Sequence, residues 1–378
     1  MKFILASDSF KECMTAKEAC VAMEKGIKRI IPGARCVKVP LADGGEGTLN
    51  TLVEATGGKL FKQVVKGPLG DNTVAEYGIL GDGQTGVIEL ASASGLHLVP
   101  IDKRNPLITT TYGTGELIKT VLSHGIKKLV IGIGGSATND GGAGIAQALG
   151  VKLLDKNGKE IGFGGGELSR IKSIDSSGLI AIDAAIEVAC DVTNPLTGKD
   201  GAAQVYGPQK GATDEMITIL DSNLEHYAAK LKEYLHKDVK NNEGAGAAGG
   251  TGAGLMAFLN AKKVSGVGLV LQHCRLEEKI RDADYVFTGE GRIDYQVAFG
   301  KTISGVIKLA KEYNKPVIAF AGDVHDTDLL YQLGITSVFG ISPSGCTLKE
   351  ALEGGKENLE NCVYSVVKLI AHAAGFSR

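Results

Sequence analysis

The sequence predicts an α/β protein in which a parallel-sheet domain is interrupted by a second, inserted α/β domain. Three observations predict this fold class. Short apolar runs alternate with helical patterns at both ends of the chain, and strands separated by tight turns occupy part of the region between them. The 378 residues also exceed the size of one ordinary hydrophobic core. We expect residues 1–60 and 282–378 to form one domain and residues 61–281 the other, with an end-to-end split as the alternative.

The N-terminal region has a βαβα pattern. The apolar run Lys2–Ala6 predicts the first strand, and the run Cys36–Leu41 predicts the second. Between them, Thr15 and Glu18 have the spacing of a capping box, in which each side chain accepts a backbone N–H at the start of a helix. Pro32 ends that helix, because proline lacks the N–H that a helix interior needs.

The central region begins near Lys59, where strands separated by Gly and Asp turns predict an antiparallel meander. The α/β alternation resumes at Thr111, and residues 151–162 have the pattern of a small hairpin. A long helix is predicted over residues 214–235, with apolar residues at helical spacing that we assign to the core. These core positions are Ile217, Leu220, Leu224, Tyr227, Leu231 and Tyr234.

The C-terminal region repeats the alternation of the N-terminal one. Three apolar strands end in Gly, Asp or Ser within the stretches DADYVFTGEGRID, KPVIAFAGDV and SVFGISPSG. Helices are predicted between and after them, including residues 301–313 and 355–374. Since both ends of the chain share this pattern, the simplest assembly places them in one parallel sheet.

Composition and charge exclude several classes of function. The formal net charge of −2 leaves no overall field to hold nucleic acid or an anionic membrane, and the chain has no Trp to stack on bases. Seven scattered cysteines without C-x-x-C spacing predict free thiols in a reducing compartment. The N-terminal apolar run ends at Ser7, too soon for a signal peptide. We expect a cytoplasmic protein, monomeric or homodimeric, whose partners are small molecules.

Polar residues follow four of the strands predicted in the terminal regions. In parallel sheets, ligands bind beyond the carboxyl ends of the strands. The polar segments are Ser7–Lys11, Asp43–Glu46, Thr288–Asp294 and Gly322–Asp323. Each alone is typical of a helix N-cap or a turn, whereas the four together predict the rim of a binding site.

The stretch LVIGIGGSATNDGGAG (Leu129–Gly144) contains six glycines directly after an apolar run. Three interpretations compete: a phosphate-binding loop, a dinucleotide site and a tight structural turn. Gly132–Ala137 matches the dinucleotide pattern G-x-G-x-x-A, with Asp155 at about the distance of a ribose-binding acid. However, residues 138–142 delay the next helix, which favours a nest of backbone N–H groups around a phosphate. The candidate phosphate ligands are Gly134, Gly135, Ser136, Asn139, Asp140 and Gly141.

A second candidate region is CDVTNPL (Cys190–Leu196), in which Asp191 ends an apolar strand and Asn194 follows three residues later. These side chains suit magnesium beside a nucleotide, and Asp191 would alternatively accept a hydroxyl proton. The structural alternative is an Asx turn before Pro195. Elsewhere, Gly244–Gly249 matches a dinucleotide pattern but lacks a preceding strand, which makes the match weak.

Together these segments resemble the bacterial type I glycerate kinase family. The resemblance covers nearly the whole chain and rests on SDSFK, PLADGGEGT, GIGGSATNDGGAG, CDVTNPL with GKDGAA, GPQKGA, GAGAAGGTGAG and TGEGRID with GKT, in this order. It implies transfer of a phosphoryl group from ATP to a hydroxyl of glycerate, with Mg²⁺. It also implies a flavodoxin-like, Rossmann-type domain interrupted by a second α/β domain with a mixed sheet. The product 2-phosphoglycerate is favoured over 3-phosphoglycerate.

Phosphoryl transfer then assigns roles to the polar residues, because its catalysis consists mainly of positioning and charge neutralisation. The catalytic candidates are Asp191 as the base, Lys11 as the phosphate clamp and Asp8. The substrate-binding candidates are Arg292, whose fork suits a carboxylate, with Asp43, Glu46 and Asp294. Glu290 and Lys301 join the loop residues as nucleotide ligands, and Asp191 with Asn194 is the candidate Mg²⁺ site.

Two other functions fit the sequence patterns. One is an NAD(P)-dependent hydroxy-acid dehydrogenase that uses Gly132–Ala137, and the other is a non-catalytic regulator that binds a sugar acid. A nicotinamide-dependent absorbance change with hydroxy acids would support the first. Ligand-dependent melting without turnover would support the second.

Overall fold

The structure is a computed structural model that describes residues 1–42, 47–294 and 302–375. It contains a five-stranded parallel sheet and a six-stranded mixed sheet, so the α/β fold class predicted from the sequence is confirmed. None of the helices in the described ranges combines the length and the apolar character that crossing a bilayer requires.

The strands are, in chain order, β1 (Lys2–Leu5), β2 (Arg35–Lys38), β3 (Lys59–Lys66), β4 (Asn72–Ile79), β5 (Thr85–Glu89), β6 (Lys128–Gly132), β7 (Lys152–Leu154), β8 (Ser173–Asp175), β9 (Ala185–Ala189), β10 (Lys262–Val264), β11 (Tyr285–Ile293), β12 (Val317–Val324) and β13 (Ser337–Gly340). The helices are α1 (Ala16–Lys28), α2 (Thr48–Thr56), α3 (Leu90–Ser94), α4 (Tyr112–Leu122), α5 (Ala143–Ala148), α6 (Ala202–Tyr206), α7 (Asp214–Leu235), α8 (Ala247–Leu259), α9 (Gly266–His273), α10 (Leu276–Ile280), α11 (Thr302–Glu312), α12 (Asp328–Leu333) and α13 (Leu348–Ala373).

The chain divides into two compact units. Unit 1 consists of Met1–Asp43 and Val267–Arg378, and unit 2 consists of Gly44–Gly266. The sequence patterns place the corresponding divisions later in the chain, near Lys59 and Arg281. The earlier start of unit 2 follows from α2, which precedes Lys59 and packs on the sheet of unit 2.

The sheet of unit 1 is parallel throughout, in the order β2-β1-β11-β12-β13. Numbered within the unit, this order is 2-1-3-4-5, which is the flavodoxin-like order. Phe3, Phe287 and Phe320 come from its three central strands, and both contacting ring pairs are edge to face with centroids 5.3 Å apart. The direction of chain connection reverses between β1 and β11, which marks the ends of these two strands as the expected ligand position.

Helix α1 begins where the sequence predicts. The Thr15 side chain accepts the Glu18 N–H, and the Glu18 carboxylate accepts the Thr15 N–H, which completes the capping box. The buried face of α1 includes Cys20, Met23 and Ile27, which belong to the core of unit 1. The capping box therefore fixes where α1 begins, and this start determines which of its side chains face the core.

We expect Thr15→Ala to lower the free energy of unfolding by about 1 kcal/mol, because a backbone N–H at the start of α1 loses its side-chain acceptor. Thr15→Ser keeps the hydroxyl and should retain most of the stability. Urea unfolding of both variants, followed by circular dichroism, measures the difference. Equal losses in the two variants would contradict this role of the cap.

The sheet of unit 2 has the order β10-β9-β6-β5-β4-β3. The strands β3, β4 and β5 pair antiparallel, as the meander pattern predicts, whereas β5, β6, β9 and β10 are parallel. Helix α2 packs tightly on the antiparallel part, because a Cβ at Gly78 of β4 would lie 2.3 Å from Val53 Cγ2. The Leu49 N–H in α2 also donates to the Glu89 carboxylate at the end of β5 (2.8 Å). These contacts place α2 in unit 2.

The region after α5 differs from the predicted hairpin over residues 151–162. Strand β7 pairs antiparallel with β8 instead. Within residues 151–162, the structure shows a single antiparallel bridge, between Leu154 and Glu160, in place of the predicted hairpin. The Asp155 carboxylate accepts N–H groups of its own turn, from Asn157 and Lys159, which makes this segment a tight turn. The partner strand was not predictable from local pattern, because its first residue, Ser173, lies nineteen positions after Leu154.

Helix α7 has the predicted bounds, and five of its six predicted core residues are buried. Tyr234 is the exception: it is 38 % exposed, and the Lys230 ammonium lies 5.7 Å from its ring centroid. Helix α13 begins at Leu348, seven residues before the predicted start, with a capping box formed by Thr347 and Glu350. Gly354 and Gly355 lower the helix propensity at the predicted start, so the helical turns before them were not predicted.

Candidate active site

The first group of predicted site residues lies at the carboxyl ends of β1 and β11 in unit 1. The Asp8 N–H donates to the Gly289 carbonyl of β11 (2.9 Å). The Asp8 carboxylate accepts the Ser9 N–H through Oδ1 (2.6 Å) and the Thr302 hydroxyl of α11 through Oδ2 (2.7 Å). Asp8 is therefore held in one orientation at the position where flavodoxin-like sheets bind ligands.

Lys11 is brought to the same place. It is exposed, and a Cβ added at Gly291 would lie 3.3 Å from the Lys11 backbone nitrogen. The backbone around it folds back in a tight turn, in which the Phe10 N–H donates to the Met14 carbonyl (2.9 Å). The structure thus puts Asp8 and Lys11 beside β11, as the pattern of polar strand ends predicts.

Glu290 and Arg292 lie within β11 and not after it, which corrects the predicted strand end. Residues 290–293 continue the parallel pairing with residues 321–324 of β12. The glycines of TGEGR suggested a loop, but pairing with β12 keeps this backbone extended. Arg292 is 63 % exposed, and its Nε lies 3.5 Å from an Asp294 oxygen and 3.7 Å from an Asp323 oxygen.

His325 belongs to this cluster and was missed from the sequence. Its ring Nε2 lies 2.9 Å from Asp323 Oδ1. Its backbone N–H donates to the Ile293 carbonyl (2.8 Å). Residues two apart on a strand point to the same face, so the spacing of Asp323 and His325 was the available signal. It could be used only once β12 was known to extend through Val324. Three of the predicted residues, Asp43, Glu46 and Lys301, lie outside the described residues.

The second group lies at the carboxyl ends of the parallel strands of unit 2. Asp191 follows β9 and is exposed. Its Oδ1 accepts the Ser265 hydroxyl (2.9 Å) and the Gly266 N–H (3.1 Å), both from the residues after β10. Two donors therefore orient the carboxylate. Ser265 and Gly266 were missed because β10 has only three residues and leaves no clear strand pattern in the sequence.

Asn194 has a different environment from the one predicted. Its amide nitrogen donates to the Asp200 carbonyl (2.8 Å), and its amide oxygen accepts the Tyr206 hydroxyl (2.7 Å). The side chain thus holds the loop between β9 and α6. Within the residues that the structure describes, no group of three or more His, Cys, Asp or Glu side chains is arranged to hold a metal ion.

The glycine-rich loop runs from the end of β6 to the start of α5. Gly134 and Gly135 are exposed, whereas Ser136, Asn139 and Asp140 are buried. Helix α5 starts only at Ala143, so the loop separates it from the Gly132–Ala137 motif, as the sequence predicts. This geometry does not fit a dinucleotide fingerprint, in which the helix N-terminus faces the pyrophosphate. The Gly134-Gly135 turn is the part of the loop that a ligand can reach.

Asp140 lies inside the protein, which corrects the expectation that it faces a ligand. Its carboxylate accepts the Thr111 N–H (2.8 Å), the Thr111 hydroxyl (2.9 Å), and the N–H groups of Gly142 (3.1 Å) and Gly144 (3.3 Å). Burial raises the pKa of Asp140, and these hydrogen bonds oppose the increase. Asp140 therefore ties the loop to the start of α4 and α5.

Gly141 shapes the same end of the loop. Its φ is +62°, a left-handed conformation that favours glycine, and a Cβ there would lie 2.7 Å from the Tyr227 ring. Its N–H donates to the Gly249 carbonyl (3.0 Å). The sequence marks this segment as unusual, but the structure shows that part of its glycine content serves close packing of backbones.

Oriented carboxylates and an exposed glycine turn at the carboxyl ends of parallel strands are typical of α/β enzymes that act on small molecules. A sequence model of the glycerate kinase family matches residues 3–371. The chain is 53% identical to a glycerate kinase of Bacillus subtilis (98% of each chain) and 54% identical to a glycerate 2-kinase of Escherichia coli (95% of each). The chain belongs to the glycerate kinase family, as the sequence resemblance implied.

A solved structure agrees with this membership. The crystal structure of a provisionally named glycerate kinase 2 from Salmonella typhimurium LT2 matches with a TM-score of 0.89 and 48% identity, over 99% of each chain. Because the two chains are 48% identical, they agree in sequence as well as in fold. It gives no support to the dehydrogenase alternative, which the late start of α5 also disfavours.

Proposed function

We propose that this protein transfers the γ-phosphoryl group of ATP to the 2-hydroxyl of glycerate and releases ADP and 2-phosphoglycerate. Family membership supports the kinase activity, and the Escherichia coli relative named glycerate 2-kinase supports the 2-hydroxyl. The observation that carries the proposal is Asp191, an exposed carboxylate oriented by two donors after β9. It follows the strand next to β6, whose own end leads into the exposed Gly134-Gly135 turn.

In this reaction Asp191 accepts the proton of the glycerate hydroxyl. The Gly134-Gly135 turn receives phosphate oxygens through backbone N–H groups, since consecutive amides in a turn form an anion-binding concavity. In unit 1, Asp8 and Lys11 are proposed to bind reacting groups at the β1 and β11 strand ends. Arg292 is proposed to bind the carboxylate of glycerate, because its planar guanidinium matches a carboxylate with two parallel hydrogen bonds.

Mg²⁺ is the expected cation, and the residues present fit it only partly. In proteins it is commonly held by one or two carboxylates together with substrate phosphates. The exposed Asp191 carboxylate suits that arrangement, whereas the Asn194 amide already bonds to Asp200 and Tyr206. When bound, Mg²⁺ would neutralise phosphate charge. Because a carboxylate bound to Mg²⁺ is a poor base, we propose that Asp191 acts as the base and that the phosphates of ATP supply most of the Mg²⁺ ligands, with Asn194 excluded as a ligand.

The test is a coupled assay of ADP release with ATP and a panel of small hydroxy acids, repeated after chelation of divalent cations. We expect turnover with glycerate that chelation abolishes and Mg²⁺ restores. Adding enolase distinguishes the products, because it dehydrates 2-phosphoglycerate directly but does not act on 3-phosphoglycerate. No ADP release with any acid, or an absorbance change with a nicotinamide cofactor, would reject the proposal.

We expect Arg292→Lys to raise the KM for glycerate about ten- to hundredfold while the KM for ATP changes little, because one bidentate charge-assisted contact is lost. The matched control is Arg281→Lys, a change at an exposed arginine that pairs with Glu277. Initial rates at varied glycerate and at varied ATP measure the two constants. An increase confined to the ATP constant would assign Arg292 to the nucleotide instead.

A further inference from the structure

Lys210 is a buried lysine in the GPQKGA segment of the family resemblance, and neither the sequence analysis nor the proposed mechanism assigns it a role. Within residues 1–42, 47–294 and 302–375, it is the only buried lysine or arginine, with 2 % of its surface exposed. It ends a short 3₁₀ turn, Pro208–Lys210, before Gly211. Burying a charge is costly unless it is paired and hydrogen-bonded, so such a residue calls for a physical explanation.

Its ammonium group bonds to the glycine-rich loop from inside. Lys210 Nζ donates to Ser136 Oγ (2.8 Å) and to the Thr138 carbonyl (2.7 Å). Ser136 directly follows the exposed Gly134-Gly135 turn. The buried cation and the reachable face of the loop are therefore separated by one residue.

Other polar groups on the inner side of the loop make different contacts. Thr138 Oγ1 and both amide atoms of Asn139 are buried without a hydrogen-bond partner in the described part of the chain. The Asp140 carboxylate bonds to Thr111, Gly142 and Gly144, which hold the far end of the loop. The segment next to the turn is held by the two bonds from Lys210, by the Thr109 hydroxyl, which donates to the Ala137 carbonyl (2.8 Å), and by the Ala137 N–H, which donates to the Ser94 carbonyl (2.9 Å). Of these partners, Lys210 is the one that brings a charge.

We propose that Lys210 is a positioning residue for the nucleotide: it holds Ser136 and Thr138 so that the Gly134-Gly135 turn keeps the shape that receives phosphate. Its charge also adds positive potential beneath that turn, where little water is present to screen it. This inference rests on the proposed function, in which the turn binds the phosphates of ATP. Lys210 does not touch substrate, so its effect is exerted through Ser136, through Thr138 and through its charge.

Lys210 gains or loses its proton near neutral pH. Burial lowers its pKa to about 7, and the Asp140 carboxylate opposes that decrease. Three nearby groups titrate or carry charge: Asp140, Tyr227 and Arg104. Burial raises the pKa of Tyr227 well above its usual value. The backbone of Arg104 lies against Gly211, the residue after Lys210. A phosphate at the turn would favour the ammonium form, so binding of the anion and binding of the proton support each other.

The kinetic test compares Lys210→Met and Ser136→Ala with the exposed control Lys232→Met. We expect both test variants to raise the KM for ATP about tenfold or more, with kcat within about threefold and the KM for glycerate unchanged. The double variant should lose less than the sum of the two single losses, because the lysine acts partly through the serine. Lys232→Met should match the parent protein.

A second measurement reads the proton directly. Calorimetric titration with ATP at about pH 8, in two buffers of different ionisation enthalpy, should show uptake of a fraction of a proton. Lys210→Met should abolish the uptake, and Lys232→Met should retain it. A merely structural lysine would not produce this linkage.

The outcomes separate the two proposals. An active parent protein whose Lys210→Met and Ser136→Ala variants keep the parental KM for ATP and the parental proton uptake would overturn the role of Lys210. If Lys210→Met fails to fold, Ser136→Ala alone decides: a raised KM for ATP supports the role and an unchanged one rejects it. A parent protein that binds ATP but releases no ADP with glycerate rejects the proposed function, while the calorimetric comparison still tests Lys210.

Discussion

Replacing Asp191 with Asn is expected to lower kcat about a hundredfold to ten-thousandfold, the range typical of losing a general base. The amide keeps an oxygen that can accept the Ser265 hydroxyl and the Gly266 N–H, so the local fold should persist. It removes the negative charge and the capacity to take up a proton. The free energy of unfolding should therefore change by only about 0.5 kcal/mol.

The measurement combines the ADP-release assay with urea unfolding of the same preparations. Asp102→Asn is the matched control, because Asp102 is an exposed aspartate of the same unit outside the proposed site. It should retain the parental kcat. Near-parental turnover in Asp191→Asn would remove this residue from the reaction, and Asp8 would then be the next carboxylate to test.

Replacing Asp140 with Ala is expected to lower the free energy of unfolding by about 3 kcal/mol or more, since each buried donor left without an acceptor costs about 1–3 kcal/mol. The fully buried carboxylate accepts hydrogen bonds from Thr111, Gly142 and Gly144. Alanine offers none of these acceptors and is too small to fill the space. Loosening of the loop should also weaken nucleotide binding.

Urea or thermal unfolding of Asp140→Ala measures this loss. The control is Asp175→Ala, because the Asp175 carboxylate lies at the surface and accepts the N–H of Ser177, two residues away. It should cost well under 1 kcal/mol, as surface substitutions usually do. Similar losses in both variants would show that the buried bonds of Asp140 contribute little.

Local features were readable from the sequence wherever the cause is local. The Thr15 and Glu18 capping box and the bounds of α7 depend on residues a few positions apart, and the structure reproduces both. The antiparallel meander from β3 to β5 also depends on short turns. Polar strand ends pointed to Asp8 and Asp191 for a related reason, since alternating strands and helices define the carboxyl edge of a parallel sheet.

Other parts of the site depend on partners far away in the chain. The role of Lys210 was not visible, because its acceptors Ser136 and Thr138 lie more than seventy positions away. The inward position of Asp140 depends on Thr111, and the extension of β11 through Arg292 depends on pairing with β12. In each case the residue type indicated a possible chemical role, but the direction in which the side chain points could not be inferred from the sequence.

The sequence by itself determined the α/β class, the starts of α1 and α7 and the family, because hydrophobic periodicity, capping and motif order are properties of the chain. The tertiary structure alone decided which polar residues face a ligand and which hold the framework. Burial and hydrogen bonding between distant segments make that choice. For this reason Asp191 is left exposed while Asp140, an aspartate in an equally suggestive motif, is fully enclosed.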